Sequence, residues 1–458
     1  MKRLCSLLCI GLLAACSESV VDPVSTSVPT ARSMADMPTL SVDGTYIIAG
    51  STAGIGLAAA AIADAGGTIV RSHDEAGLLI ASGIGQETAS AIAGLGGIRT
   101  VAADEIYTQE PVAMGAPVTM NTELAHDPTQ AFFYQIGYQW DMEVIDADDA
   151  WNAGASAEGV TVAILDSGID ATHPDLAGLV DASRSIAFVP NLNPAIPAWG
   201  DDRFHGTHVA GTVATNGLGT AGVAPHATLT AVKVCDWLGS CPFSAIFSGI
   251  IFAAETDADV INMSLGGFIG RSGGGGELNA ILNQVMNYAN RMGVTVVSAA
   301  GNSAVDLDHI GRDFGGKQNG GVGSVLAVPC ESGNGVCVSA TNRADEPTGY
   351  TNYGNSAISV AAPGGEGGPP NGVISVCSTQ SVYLPLVGIN CGPTSYLWAT
   401  GTSMASPHVA GAAALLAAQG MSSGRIKATL QQSADDLGKR GNDPYYGKGR
   451  LNVFNAVN

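Results

Sequence analysis

Four uninterrupted apolar runs, VTVAIL (160–165), LTAVKV (229–234), VINMSL (260–265) and VTVVSAA (294–300), alternate with helix-patterned segments from about residue 132 onward. The helical segments are SAIFSGIIFAAE (244–255), ELNAILNQVMNYANRM (277–292) and the stretch after Gly401. A strand lacking polar alternation must be covered on both faces, and intervening helices supply the cover. The pattern therefore predicts an α/β domain of three layers on a mostly parallel sheet. No internal repeat and no second long apolar segment interrupts it.

The N-terminus reads as a targeting segment. Lys2 and Arg3 precede an apolar run from Leu4 to Ala15 that is too short to span a bilayer. It ends in LAAC, which resembles the bacterial lipobox, so residues 1–15 are expected to be a signal peptide and Cys16 a lipidated anchor. Several acyl chains on one cysteine hold a membrane stably. Residues 16–39, polar and proline-containing, read as a flexible tether. Export places the remaining cysteines in an oxidising setting. Six remain, Cys235, Cys241, Cys330, Cys337, Cys377 and Cys391, and six allow fifteen connectivities. Sequence proximity favours 235–241, 330–337 and 377–391. The formal charge of −21 excludes nucleic acid as a partner, because phosphates require Lys and Arg.

Residues 40–110 form a unit of their own. The order is strand (YIIAG), helix, strands TIVRS and GLLIAS, helix ETASAIAGL and strand IRTVAAD, the split pattern of ferredoxin-like α+β domains. Gly50, Gly54 and Gly56 after the first strand resemble a dinucleotide fingerprint. A short-chain dehydrogenase, however, needs Tyr four residues before Lys. The residues four before the lysines past Lys2 are Leu229, Asp313, Ser423, Asp435 and Pro444, so an oxidoreductase is excluded. Residues 111–135 read as a linker.

Three stretches carry chemistry. VAILDSGIDATHPDL sets Asp166 just past a buried strand, HGTHVAGTVA sets His205 and His208 at a helix start, and GTSMASPHVAGAAALL sets Ser403 behind a glycine at another. A serine hydroxyl needs a base near neutrality, and an imidazole in turn needs a carboxylate to fix its tautomer. Read singly, each is bland: a turn aspartate, a helix-start histidine, a helix cap. Together, and in this order, they resemble the signatures of the subtilisin-like serine peptidases (subtilases), over roughly Trp140 to Val457.

The resemblance implies a subtilisin-like catalytic domain at 136–458 and an acyl-enzyme route with Asp166, His205 and Ser403 as the triad. By motif position His205 is the base; His208, His408 and His173 are structural, and no metal takes part in catalysis. VVSAAGNS places Asn302 at the oxyanion-hole amide. NMSLGG, with Ser264, Leu265, Gly266 and Gly267, matches the substrate-aligning strand, whose edge would take a peptide by β-addition. With Ala299, Ala300 and Gly301 it would wall a primary pocket roomy enough for large apolar or aromatic side chains. The first unit then corresponds to an inhibitory propeptide, cut away in the linker by the enzyme itself.

The loop TVATNGLGTAGVAP is about two residues shorter than in calcium-binding members. That departure argues against the tight calcium site of which Asp175 matches one ligand. Asp306, Asp308 and Asp313 offer a hard cation oxygen ligands, the plainer reading being a solvated acidic loop. The expected protein is a monomeric, exported, self-processing serine endopeptidase acting on polypeptides. The alternative is an inactive relative that keeps the fold to bind peptides.

Overall fold

The computed structural model describes residues 40, 42–120, 127–270, 274–310, 325–333 and 335–458. The proposed signal, Cys16, the tether and Asp313 lie outside them. Seven strands form the central sheet in the order Val360–Pro363, Val336–Thr341, Thr295–Ala299, Val260–Met263, Thr161–Asp166, Thr228–Lys233, Ile186–Ala187. Every neighbouring pair runs parallel.

Alternate side chains of each strand feed two separate cores. Val162 and Ile164 point into one with Val297 and Val338; it is closed by the helices His205–Val213 and Thr402–Ala418. Ala163 and Leu165 point into the other with Ile261 and Val296; it is closed by Phe243–Glu255 and Gly274–Arg291. This is the three-layer α/β architecture that the uniform apolar runs predict. Thr402–Ala418 is buried through Leu416. Its alanines and Gly411 let neighbouring backbone approach closely, which explains a helix without a polar stripe. The strands Val336–Thr341 and Val360–Pro363, and the helix Ser423–Gln432, complete the domain and carry no signal picked out in the sequence.

Residues 46–103 fold as the strand–helix–strand–strand–helix–strand unit. Its sheet has the order Thr68–His73, Leu78–Ser82, Tyr46–Gly50, Ile98–Ala103, all antiparallel. One face packs Tyr46, Ile48, Leu79 and Ala81 on its own helices through Ile55, Ala58, Ile62 and Ile92. The other face puts Ile47, Ala49, Leu78, Ile80 and Ala102 into the core that holds Leu278, Ile281 and Leu282 of the long helix. YIIAG is thus apolar at every position because both its faces are covered.

The glycines of the opening motif have separate tasks. A Cβ on Gly50 or Gly54 would lie 2.6 and 2.5 Å from the backbone of Gly97, whereas one on Gly56 would meet nothing within 4 Å. They serve the approach of strand and helix to the Gly97 turn. Ser51 caps the helix by accepting from the Gly54 N–H. Disulfides join Cys235–Cys241, Cys330–Cys337 and Cys377–Cys391, the pairing that proximity favours.

In the intact chain, Gly54→Ala should destabilise this unit by about 1–3 kcal/mol through overpacking. Gly56→Ala should be neutral or stabilising by up to ~1 kcal/mol. Calorimetric melting of both variants checks the contrast.

Candidate active site

Asp166 ends a central strand and His205 begins a helix, and the two meet at the carboxyl edge of the parallel sheet. His205 Nδ1 lies 2.9 Å from both carboxylate oxygens of Asp166. The same carboxylate accepts from the Ser167 N–H at 2.7 Å and from Gln109 Nε2 at 3.1 Å. Full burial alone would raise the Asp166 carboxyl. The adjacent imidazole and these donors outweigh burial and hold it below the usual carboxylate range. An ionised Asp166 fixes the proton of His205 on Nδ1, which leaves Nε2 as a lone pair. Nε2 is buried and has no hydrogen-bond partner among the described residues.

A buried carboxylate, Asp201, sets this geometry. Its Oδ1 accepts from Ser167 Oγ, the Arg203 N–H and the Phe204 N–H, and its Oδ2 from the Thr207 N–H and Oγ1. It ties the end of the Asp166 strand to the start of the His205 helix. Phe204, between them, sits at φ 145°, a conformation a side chain occupies only when surroundings impose it. Neighbouring Asp202 pairs with the fully buried Lys233, 2.6 Å away, and Lys233 also donates to the Ser167 carbonyl. Nothing in the sequence motif marks Asp201 beyond its place four residues before His205.

Ser403 is the second residue of its helix. Pro407 lacks an N–H, so the Ser403 carbonyl four residues earlier has no ladder donor. Ser264 Oγ fills that place at 2.7 Å, and Asn262 Nδ2 donates to Ser264 Oγ in turn. Asn262 Oδ1 accepts from Ser406 Oγ, closing the network. The Ser403 hydroxyl donates to the Ser264 carbonyl at 3.3 Å. The direct hydroxyl–imidazole hydrogen bond implied by the motif order is therefore not made in this state. Asn302 Oδ1 accepts from Thr402 N–H at 2.8 Å and from Thr402 Oγ1 at 2.9 Å, which turns its NH₂ the other way. Ala299 and Ala300 lead into Gly301, whose φ of 99° and 2.4 Å approach of Asn352 Nδ2 to a would-be Cβ admit only glycine.

Residues 106–119 cross this site. Ile106–Thr108 pairs antiparallel with Ser240–Pro242, and Gln109 N–H donates to the Gly239 carbonyl at 2.8 Å. The ladder thus forms on a segment that reads in sequence as a strand–helix loop, while Gly267 of the expected aligning strand lies under the Tyr107 ring. Beyond the site, Ala113–Met114 and Val118–Thr119 pair with Ser395–Thr400, so the linker carries strands.

His208, His408 and His173, the three that the sequence assigns to structure, are buried and each has a ring nitrogen hydrogen-bonded away from the site. His208 Nε2 lies 2.9 Å from the Leu397 carbonyl, and burial pushes its pKa down to about 3. His408 Nε2 lies 3.0 Å from Asp141 Oδ2 and His173 Nε2 3.2 Å from the Ser395 carbonyl. The Asp175 carboxylate accepts from the N–H groups of Leu218, Gly219 and Thr220 and from the Tyr396 hydroxyl. Those donors occupy the oxygens a cation would need. Asp308 accepts from the Asn355 and Ser356 N–H groups. No cluster of three or more His, Cys, Asp or Glu suited to a metal occurs among the described residues.

A parallel sheet carrying a carboxylate–imidazole pair at its carboxyl edge, beside a serine on a buried helix, is the arrangement of a serine-type hydrolase on an α/β fold. The chain belongs to the Subtilase family, whose profile matches residues 157–449, and it is a serine-type endopeptidase. It is 36% identical to thermitase of Thermoactinomyces vulgaris over 323 residues, 70% of this chain and 95% of the relative. It is 36% identical to subtilisin E of Bacillus subtilis (strain 168) over 348 residues, 73% and 77% of the two chains. Among solved structures, the epidermin leader peptide processing serine protease of Staphylococcus aureus shares the fold. Its TM-score is 0.70 at 22% identity, covering 90% of this chain and 97% of that one.

A Cβ on Gly206 would lie 2.2 Å from the Gly168 carbonyl oxygen and 3.1 Å from Asp166 Cβ. Gly206→Ala should therefore push His205 off the strand end and lower kcat/KM about 100-fold, the cost of a displacement near 1 Å. Steady-state peptidase assays normalised by active-site titration check this.

Proposed function

We propose that the chain is the precursor of an exported endopeptidase that cuts polypeptides with Asp166, His205 and Ser403 and is held latent by its own residues 40–110. The observation that carries this reading is residues 106–119 lying through the cleft, with the Gln109 amide on the Asp166–His205 pair.

In the reaction, the Ser403 hydroxyl leaves the Ser264 carbonyl and gives its proton to His205 Nε2 as Oγ attacks the scissile carbonyl. Asp166 stabilises the imidazolium that results. The Asn302 NH₂, oriented by Thr402, and the Ser403 N–H at its helix start receive the developing oxyanion. His205 then protonates the leaving amine, and water, activated by the same nitrogen, releases the acyl group. The Ser403 hydroxyl resting on the Ser264 carbonyl is consistent with this scheme, since catalytic hydrogen bonds often tighten only when substrate binds.

Latency rests on two contacts beyond the ladder. The unit's four-stranded sheet covers the long helix, and Asp104 caps the Phe243–Glu255 helix by accepting from the Ser244 N–H at 3.0 Å and from its hydroxyl. The signal, the Cys16 anchor and a monomeric state complete the proposal on sequence grounds. Asp175, committed to four protein donors, supports a loop that holds its shape without calcium.

Wild-type chain should shorten by about 90–120 residues, as motif placement implies, and label with a sulfonyl fluoride. Ser403→Ala should do neither. Equal shortening of both forms, seen by gel and mass spectrometry, would falsify self-processing.

Burial lifts the Asp104 carboxyl from 3.8 to about 6. A carboxyl whose folded value lies above its unfolded value is protonated more readily in the docked state. Docking therefore weakens as pH rises from near 3.8 through about 6. In a Ser403→Ala background, melting temperature should fall across that window relative to Asp104→Asn, and the two pH profiles should run parallel above it.

A further inference from the structure

We propose that the primary pocket of this enzyme is built for a glutamate side chain. This rests on the reading above, that residues 106–119 lie in the cleft as a substrate would.

The ladder fixes the register. Thr108 faces Ser240, Tyr107 faces Cys241, and Gln109 donates to Gly239. Side chains alternate along such a strand: Tyr107 and Gln109 turn inward, while Thr108 is exposed. The Tyr107 ring lies against Gly267, where a Cβ would come within 2.3 Å of it, in a hole walled by Phe243, Ile246, Leu265, Leu282 and Val328. A side chain at 267 would close this seat. Its depth suits a ring and offers no charge.

Glu110 is the next residue beyond the Gln109 that covers the Asp166–His205 pair. Its carboxylate accepts from the Asn302 N–H and from Ser303 Oγ, and lies 3.5 Å from where a Cβ on Gly301 would be. Gly301 is one of the small residues that wall the primary pocket by sequence. The sequence reading left that pocket open to large apolar groups, but the structure gives it donors. The backbone on either side of them is braced: Asn352 Oδ1 accepts from the Ser303 and Val305 N–H groups at 3.1 Å each, and Asn352 Nδ2 donates to the Ala300 carbonyl at 2.8 Å. The Asn302 N–H and the Ser303 hydroxyl match the two oxygens of a carboxylate, and hydrogen bonds to an ionised acceptor are the strong ones. A leucine or phenylalanine in the same place satisfies neither donor.

Past Glu110 the chain continues as Pro111 and Val112, and Val112 Cγ1 lies 3.2 Å from where a Cβ on Gly401 would be. Ala113 then pairs with Thr400. The segment therefore enters on one side of Ser403's helix start and leaves on the other, with Glu110 at the turn between the two ladders.

The test uses the activated enzyme, titrated with a sulfonyl fluoride, and peptides of the form Tyr-Thr-Gln-X-Ala-Val with X as Glu, Gln, Leu or Phe. Glu should give the highest kcat/KM, at least tenfold above Leu and Phe. Replacing the peptide's Tyr by Ala should cost about tenfold. Ser303→Ala should shrink the Glu-over-Leu ratio about tenfold, the scale of one lost hydrogen bond to a charge. In the full chain, Pro111→Ala should yield a product whose N-terminus is residue 111. An enzyme that labels but prefers Leu or Phe overturns the pocket proposal alone. One that neither labels nor cuts any peptide overturns the underlying reading with it.

Discussion

The site hangs on one carboxylate that does no chemistry in the proposed reaction. Asp201 receives five donors from Ser167, Arg203, Phe204 and Thr207, and so clamps a strand end to a helix start. That clamp is what holds Phe204 at a backbone angle costing on the order of 1–3 kcal/mol elsewhere. Releasing Phe204 to an ordinary angle would rotate the first turn of the helix and carry His205 away from Asp166. The buried Lys233–Asp202 pair supports the clamp from behind by fixing the Ser167 carbonyl. Removing one partner of such a pair leaves an uncompensated charge in the interior, so these residues stand or fall together.

On the opposite side of the cleft a different device does the same work. Pro407 opens a gap in the helix ladder, and Ser264 enters it. The segment that follows the strand Val260–Met263 and the helix bearing Ser403 are thereby joined at Ser403. Two elements distant in the chain share one hydrogen-bond network through Asn262 and Ser406. Ser403 and Ser264 are thereby held in one network.

Much of this was legible in the sequence. The apolar runs disclosed the parallel sheet because burial on both faces forbids polar alternation, and the motif positions put Asp166, His205 and Ser403 at the strand or helix ends they occupy. The glycines at 50, 54 and 56 were misleading as a fingerprint because close backbone approach and phosphate approach ask for the same residue. The path of residues 106–119 was not legible. Ile106–Thr108 and Ser240–Pro242 are three-residue strands, too short for any periodicity, and each exists only because the other is there. The donors around Glu110 were hidden for a related reason: one is a backbone N–H, present at every position and informative at none.

The Cys235–Cys241 bridge has a consequence for timing. Cys241 stands opposite Tyr107 in the ladder that seats residues 106–108. The seat is therefore part of a small covalent ring that closes only where thiols are oxidised. In the proposed precursor, a chain detained among reductants would carry its chemical groups beside an unclosed ring, so restraint and export would meet in a single sulfur–sulfur bond.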